Sequence, residues 1–405
     1  MNNNKKHYAW VICFLCFLIN YCALGLTCNG MVPYLPFIRE QIGMSNTQVA
    51  LISTLRCLFS TLTIPTAGWF YHKFGFRFGT VLAMVLLMAS RLVMAFAASP
   101  MLFYIGAAMM GIAYSYGAMY PTVILSERWF KDSRSTATGI AFCGSSVCAI
   151  ICPPITTWLV ENFSLKAAFM VEAGEVVVIA AILFILMRDQ PSDIGLKPYI
   201  SNSPKAAKEA KERRDVILTP IQSKVLFAGI LIQGLIAAGY SSSFSVHYAD
   251  KGYSSAVIAI SISVYGILLA IGKLAFGYGV DKIGTYKVTI IFAVIWIVSS
   301  FLTAGCTGPG LFMIMASAMG NGIGMTNGSI GVTSWSGDLT TKAEYDRSIK
   351  RYQTIFYAGC LGGSAFPGIV ADLTGSYTPA YTIYGFVILI STLLILGLYR
   401  SHKLY

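Results

Sequence analysis

The sequence predicts an all-α membrane protein that crosses the bilayer twelve times, folded as two pseudo-symmetric six-helix bundles. Three observations lead there: hydropathy, the placement of basic residues, and an internal repeat. Of 405 residues, 56% are apolar and 11% charged, with mean hydropathy +0.67, whereas a soluble domain carries about a quarter charged residues. Apolar stretches of about twenty residues recur, each long enough to cross a ~30 Å hydrocarbon core as a helix. They fall at 9–30, 46–69, 79–98, 101–125, 135–160, 167–187, 222–247, 256–280, 286–305, 309–333, 350–371 and 378–399. The first follows Lys5 and Lys6 in the manner of a signal peptide. It exceeds the ~7–15 residue apolar core of such a peptide and shows no small-residue cleavage site, so it is expected to persist as the first span.

The net charge of +12 raises the question of a nucleic-acid partner, and the placement of the charges answers it. With the N-terminus inside, all but six of the 29 Lys and Arg fall in cytoplasmic segments. Arg39, Lys166 and Lys251 fall outside, and Arg56, Arg91 and Lys273 lie within spans. This asymmetry is the positive-inside rule. It puts both termini in the cytoplasm, makes the lipid bilayer of the cytoplasmic (plasma) membrane the partner, and leaves no role for nucleic acid. Ten cysteines are scattered through the spans. Cys13 and Cys16 form a C-x-x-C on an apolar helix, which reads as core packing and not as a redox or zinc site. No cofactor or metal is expected. The sequence contains no phosphate-binding loop, metal-ligand cluster or nucleophile motif, so an enzyme is disfavoured and transport would be gradient-driven.

A polar stretch from Arg188 to Pro220 divides the chain, mixing Lys205, Lys208, Lys211, Arg213 and Arg214 with Glu209, Glu212 and Asp215. The expected organisation is an N-terminal bundle at 1–187, a cytoplasmic linker at 188–221 and a C-terminal bundle at 222–405. The two bundles repeat a basic turn. After span two comes Gly68-Trp-Phe-Tyr-His72-Lys73-Phe-Gly75-Phe-Arg77, and after span eight Gly277-Tyr-Gly-Val-Asp281-Lys282-Ile-Gly284. A second echo sets Trp158 to Phe169 against Val370 to Tyr381. Repeats at equivalent positions mark transporters built from pseudo-symmetric bundles with a midplane site. Glycines allow close helix approach, the acid can face a helix N-terminus, and the basic residues anchor at the interface.

These turns resemble the signature G-x-x-x-D-[RK]-x-G-[RK]-[RK] of the major facilitator superfamily, with His72 standing where the second copy keeps Asp281. The resemblance implies the major facilitator fold and a gating role for Gly68, His72, Lys73, Gly75, Arg77, Gly277, Asp281, Lys282 and Gly284. The run Pro121 to Gly144 is similar to the span-four to span-five signature of the oxalate/formate antiporter and monocarboxylate porter families. Gly43-Met-Ser-Asn-Thr-Gln-Val-Ala resembles the start of their span two, and Asp372-Leu-Thr-Gly-Ser-Tyr the end of their span eleven. Arg128, Trp129, Phe130 and Arg134 read equally well as interface anchors.

An ionisable residue at the bilayer centre costs roughly 2.5–3.5 kcal/mol on the insertion scale, so each needs a partner or a watery cavity. Lys273 lies two helical turns before Asp281, where the resembled families hold a carboxylate-binding arginine. Lysine keeps the charge and loses the bidentate geometry. Arg56, near the middle of span two, is a second anion ligand or an interface pair. Arg91 in span three faces a span six that offers Glu172 and Glu175 on one face, which reads as a structural ion pair. Alternatively, one of these glutamates titrates to couple protons. The span-eleven lysine of the oxalate-type relatives aligns near Gly359, where no charge exists; Gln353 and Tyr357 are nearby. Tyr120, Tyr357 and Asn321 complete the expected substrate site, with Asn29, Tyr116, Tyr240 and Asn327 as further polar residues that packing also explains.

The expected function is secondary transport of a small organic anion, a monocarboxylate before a dianion, by alternating access. A counter-anion or protons would be the coupled species, making the protein an antiporter or a symporter. An efflux carrier for a drug or other metabolite is the alternative, although span five has Gly139, Gly144, Pro153 and Pro154 without a compact glycine-proline motif. A non-transporting membrane sensor of the same fold is a third reading.

Overall fold

The structure, a computed structural model, describes residues 8–131, 134–200, 215–308, 310–341 and 344–404. The linker charges from Lys205 to Arg214 lie outside the described residues, as do the side chains of Arg134 and Asp281. Helices α1 (Tyr8–Asn20), α2 (Tyr34–Ile42), α3 (Asn46–Thr63), α4 (Ala67–Ala95), α5 (Pro100–Gly117), α6 (Met119–Trp129), α7 (Arg134–Asn162) and α8 (Leu165–Leu186) precede the linker. After it come α9 (Pro220–Asp250), α10 (Ser255–Ile283), α11 (Thr285–Gly305), α12 (Leu311–Gly324), α13 (Val332–Asp338), α14 (Tyr345–Thr374) and α15 (Thr378–Ser401).

Ten apolar helical stretches among the described residues are long enough to cross a membrane. One of them, Asn46–Ala95, runs for 50 residues and breaks at Gly75, where φ is 69°. At 1.5 Å per residue that run is more than twice the hydrocarbon thickness, so it makes two passes. Leu311–Gly324 is shorter and continues through a π-helical turn at Asn327–Gly331 into α13. Counted this way, the described residues make the twelve passes read from the sequence.

Local chemistry sets the ends. Thr219 caps α9, accepting from the Gln222 amide while the Gln222 side chain accepts from the Thr219 amide, and Pro220 fills the first turn, where no donor is needed. Ser164 caps α8 in the same way through the Ala167 amide. The first helix departs from α geometry: Tyr21–Gly30 is π-helical, a winding that is rare and concentrated at functional places.

The chain packs as two units. The first comprises residues 1–34 and 55–211, the second residues 35–54 and 212–405. The boundary falls inside α3, so α2 and the first half of α3 pack with the helices that follow the linker. Within the first unit, helix 1 lies against α7, and Tyr34 stacks on Phe169 of α8 with ring centroids 4.2 Å apart. Within the second, α9 and α14 cross in close backbone contact: a Cβ at Gly359 or Gly363 would strike the carbonyl oxygens of Leu231 and Leu235. Small residues at such crossings let membrane helices gain dispersion contacts where lipid supplies no hydrophobic drive.

Candidate functional site: charges and polar networks inside the spans

Arg91 is fully buried, with Nε 3.2 Å from Glu172 Oε2. Its Nη2 donates to the Leu26 carbonyl at 2.8 Å, and Thr156 Oγ1 donates to Glu172 Oε1 at 3.4 Å. Burial of both charges is tolerable because each neutralises the other; separated, either would face hydrocarbon-like surroundings unpaid by water. Glu175, one turn along α8, is half-buried. Arg56 has a different setting. Its Nη1 and Nη2 donate to Cys28 Sγ and Cys57 Sγ, both at 3.3 Å, and its guanidinium lies 5.8 Å from the centroid of the Tyr114 ring. It is half-buried, against full burial for Arg91.

In the second unit Lys273 is half-buried on α10, between buried Gly272 and exposed Leu274. Tyr357 is half-buried on α14. Asn321 is buried and occupied: its Nδ2 donates to Tyr240 Oη and, at 3.1 Å, to Thr303 Oγ1. Tyr240 also bonds Thr303, so α9, α11 and α12 are joined by uncharged groups. Gly359 faces the Leu231 carbonyl so closely that no side chain fits. The absence of a charge near this point of α14 is therefore a packing requirement of the α9 crossing.

The two repeated turns differ in how their helices are capped. Gly75 and Gly284 both take positive φ, 69° and 85°, which favours glycine. At the first turn Asp189, beyond the end of α8, accepts from the amides of Phe76 and Arg77 at 2.7 and 2.8 Å. A Cβ on Gly75 would sit 2.7 Å from Asp189 Oδ2. The acid missing at His72 has a counterpart arriving from another part of the chain. His72 is exposed, Lys73 Nζ lies over the rings of Trp69 and Phe74, and Arg77 Nε donates to the Phe184 carbonyl at 2.6 Å. At the second turn Lys282 Nζ lies 5.6 Å over Tyr278, and among the described residues no atom comes within 4 Å of a Cβ placed on Gly277 or Gly284. Tyr120 stacks on Tyr71 at 5.6 Å, with its hydroxyl 3.4 Å from where a Cβ on Gly68 would stand. It is therefore part of this turn; Gly68 is twelve residues, about 18 Å of helix, from Arg56. Trp129 and Phe130 are each 1% exposed. They pair through backbone with Tyr199, and Phe130 also packs on Trp10, so they are interior groups and not anchors at a lipid surface.

A second polar group in the second unit surrounds the start of α3. Arg39 forms a bidentate pair with Asp250, at 2.5 and 3.1 Å, and also donates to Asn46 Oδ1 at 2.9 Å. The bond to Asp250 holds the Arg39 guanidinium above its ordinary range. Asp372 accepts from the amides of Asn46 and Thr47 at 3.1 and 2.8 Å, and Tyr377 Oη donates to Asn46 Oδ1 at 3.0 Å. The Gly43-to-Ala50 and Asp372-to-Tyr377 segments, 326 residues apart at Asn46 and Asp372, are thus partners in one capping arrangement. Neither Asp250 nor Asp189 stands out in the sequence, because a lone acid at a helix end carries no periodic signal.

The Major Facilitator Superfamily profile matches residues 13–268 and 226–403. Among characterised proteins, the chain is 26% identical over 287 residues to the oxalate:formate antiporter of Oxalobacter formigenes, covering 69% of this chain and 65% of that protein. It is 23% identical to monocarboxylate transporter 12 of Mus musculus, covering 98% of this chain and 86% of that one. The chain spans slightly under two thirds of the length of several such relatives, 63% for monocarboxylate transporter 12 of Xenopus laevis. Among solved structures, the nucleoside transporter NupG superposes with TM-score 0.76 at 12% identity, over 98% of this chain and 99% of that one. A D-xylose-proton symporter gives 0.76 at 14%, over 96% and 97%. At these identities the structural likeness concerns the fold. With the profile spanning nearly the whole chain and the twelve passes in place, the chain belongs to the major facilitator superfamily.

Proposed function

We propose that this transporter moves a small organic anion, of the monocarboxylate class, by alternating access between its six-helix bundles at 1–187 and 222–405. The observation that carries the reading is the contrast among the three intramembrane cations. Arg91 is sealed against Glu172, whereas Arg56 and Lys273 are half-buried. Anion recognition is assigned to Lys273 first and Arg56 second, with Tyr357 as a polar neighbour on α14. Asn321 and Tyr120 leave that assignment, since their contacts tie them to the α9–α12 network and to the Gly68 turn. The names of the relatives, monocarboxylate transporters and an oxalate:formate antiporter, support the same substrate class. The side-chain-free contact at Gly359 favours one carboxylate over two. Arg91 and Glu172 are assigned a structural role, leaving Glu175 as the titratable carboxylate of α8 if transport is proton-coupled. The charge asymmetry supports a cytoplasmic-membrane carrier with both termini inside.

The test is uptake of labelled lactate, formate and oxalate into proteoliposomes, with and without a pH gradient and internal counter-substrate. Lys273→Gln should reduce monocarboxylate uptake by about tenfold or more, as expected when a charge-assisted contact is lost. Undiminished uptake by that variant removes Lys273 from the site. Uptake of none of the acids removes the substrate class.

A further inference from the structure

Near the end of α9 that the charge pattern places outside, His247 is fully buried. Its Nε2 lies 2.8 Å from the Thr303 carbonyl. A carbonyl only accepts, so Nε2 carries the proton and Nδ1 presents its lone pair. That Nδ1 is buried and has no hydrogen-bond partner among the described residues. A cation is costly among neutral groups and out of water, so Nδ1 takes a proton only in acid and then needs an anion to meet it.

The surroundings fix what protonation would do. Tyr381 of α15 lies 4.8 Å from the imidazole, Tyr377 6.1 Å and Tyr248 5.9 Å, all centroid to centroid. Tyr240 meets the same Thr303, and Tyr248 bonds Ser317 of α12, which Cys306 also contacts at 3.9 Å. These groups are neutral. The charged neighbours are Lys251 and Asp250, four and three residues along the chain; Asp250 stands at the i+3 spacing that lets helical side chains meet, and is exposed where His247 is sealed. Asp250 already holds Arg39 in the bidentate pair that ties α2 and the start of α3 to α9. Among the described residues, an imidazolium in this nest would have Asp250 to turn to, and that carboxylate is engaged by Arg39.

We propose that His247 is a proton-binding site whose occupancy competes with Arg39 for Asp250, so that acid on the outer side loosens the hold on residues 35–54. The proton adds to Nδ1, giving a cation that keeps its Nε2 bond to Thr303 and draws the Asp250 carboxylate inward. Arg39 then loses one or both of its bonds. The Asn46 side chain, bonded to both Arg39 and Tyr377, and the amides of Asn46 and Thr47, bonded to Asp372, are the next contacts to open. The inference does not depend on which solute is carried.

Hydrogen exchange read by mass spectrometry tests it on the full-length protein in lipid nanodiscs, after correction for the intrinsic pH dependence of exchange. At about pH 4, peptides spanning 35–54 should exchange about threefold or more faster than at about pH 7.5, the scale set by loss of a partly buried ion pair. His247→Gln, which can still donate to the Thr303 carbonyl, should exchange slowly at both pH values. Asp250→Asn, which leaves the imidazole and its nest in place, should exchange fast at both. An acid response that survives in either variant, or none in the unaltered protein, overturns the proposal. Peptides from α11 and α12 report whether each variant remains folded.

Discussion

Among the described residues, the two units differ in whether they bury a full charge pair. The first seals a full charge pair, Arg91 with Glu172, at 0% and 6% side-chain exposure. The second joins Tyr240, Thr303 and Asn321 by neutral hydrogen bonds, while both units bring helix backbones together at glycines, Gly144 against the Phe17 carbonyl in the first and Gly359 against the Leu231 carbonyl in the second. The comparison teaches that a duplicated bundle need not duplicate its internal chemistry. A buried pair makes each partner indispensable to the other, because removing one strands a charge. A neutral network shares its load over several weak bonds, each replaceable.

The difference can be tested by substitution, with unfolding followed in detergent micelles or bilayers. Glu172→Gln should have the largest effect, about 3–5 kcal/mol, because Arg91 is left charged and buried. Arg91→Met with Glu172→Met should recover most of that loss; if the double variant is no better than the single, the pair is not what stabilises the unit. Next comes Gly359→Ala, where the added methyl meets the Leu231 carbonyl, expected to cost about 1–3 kcal/mol. Asp189→Ala removes the cap on Phe76 and Arg77 and should cost about 1 kcal/mol. Restoring an acid in the turn by His72→Asp would leave those two amides unbonded and should not rescue it. Tyr240→Phe should be the mildest at about 0.6 kcal/mol, the mean for hydrogen bonds between membrane helices. A loss there as large as for Glu172→Gln would erase the contrast between the units.

Much of the fold is legible because hydrocarbon imposes one demand, and spans of apolar residues answer it residue by residue. The repeated turn is legible for a similar reason: Gly75 and Gly284 need positive φ, which few residue types allow. Sequence offers Arg91 two partners, Glu172 and Glu175, because opposite charges in apolar spans have few other places to go, and the structure pairs it with Glu172. The site is harder to read. Tyr120 and Asn321 carry the chemistry of ligands, yet one stacks on Tyr71 and the other is bonded to Tyr240 and Thr303. Sequence reveals a polar atom but not whether a neighbour already occupies it. The packing of residues 35–54 with the second unit rests on long-range contacts through Asp250, Ser364 and Asp372. Such contacts leave no local pattern in a single chain.

The π-wound stretch at Tyr21–Gly30 has a mechanical consequence. Its backbone bonds skip one residue further than in an α-helix, so the coil is wider and shorter than ten α-helical residues would be. Tightening one such turn would rotate everything beyond it by a large fraction of the roughly 100° that separates successive α-helical residues. Cys28, which contacts Arg56, and Asn29, which donates to the Ser145 carbonyl, lie on the part that would swing. The winding of Tyr21–Gly30 therefore sets the azimuth at which Cys28 meets Arg56 and Asn29 meets the Ser145 carbonyl.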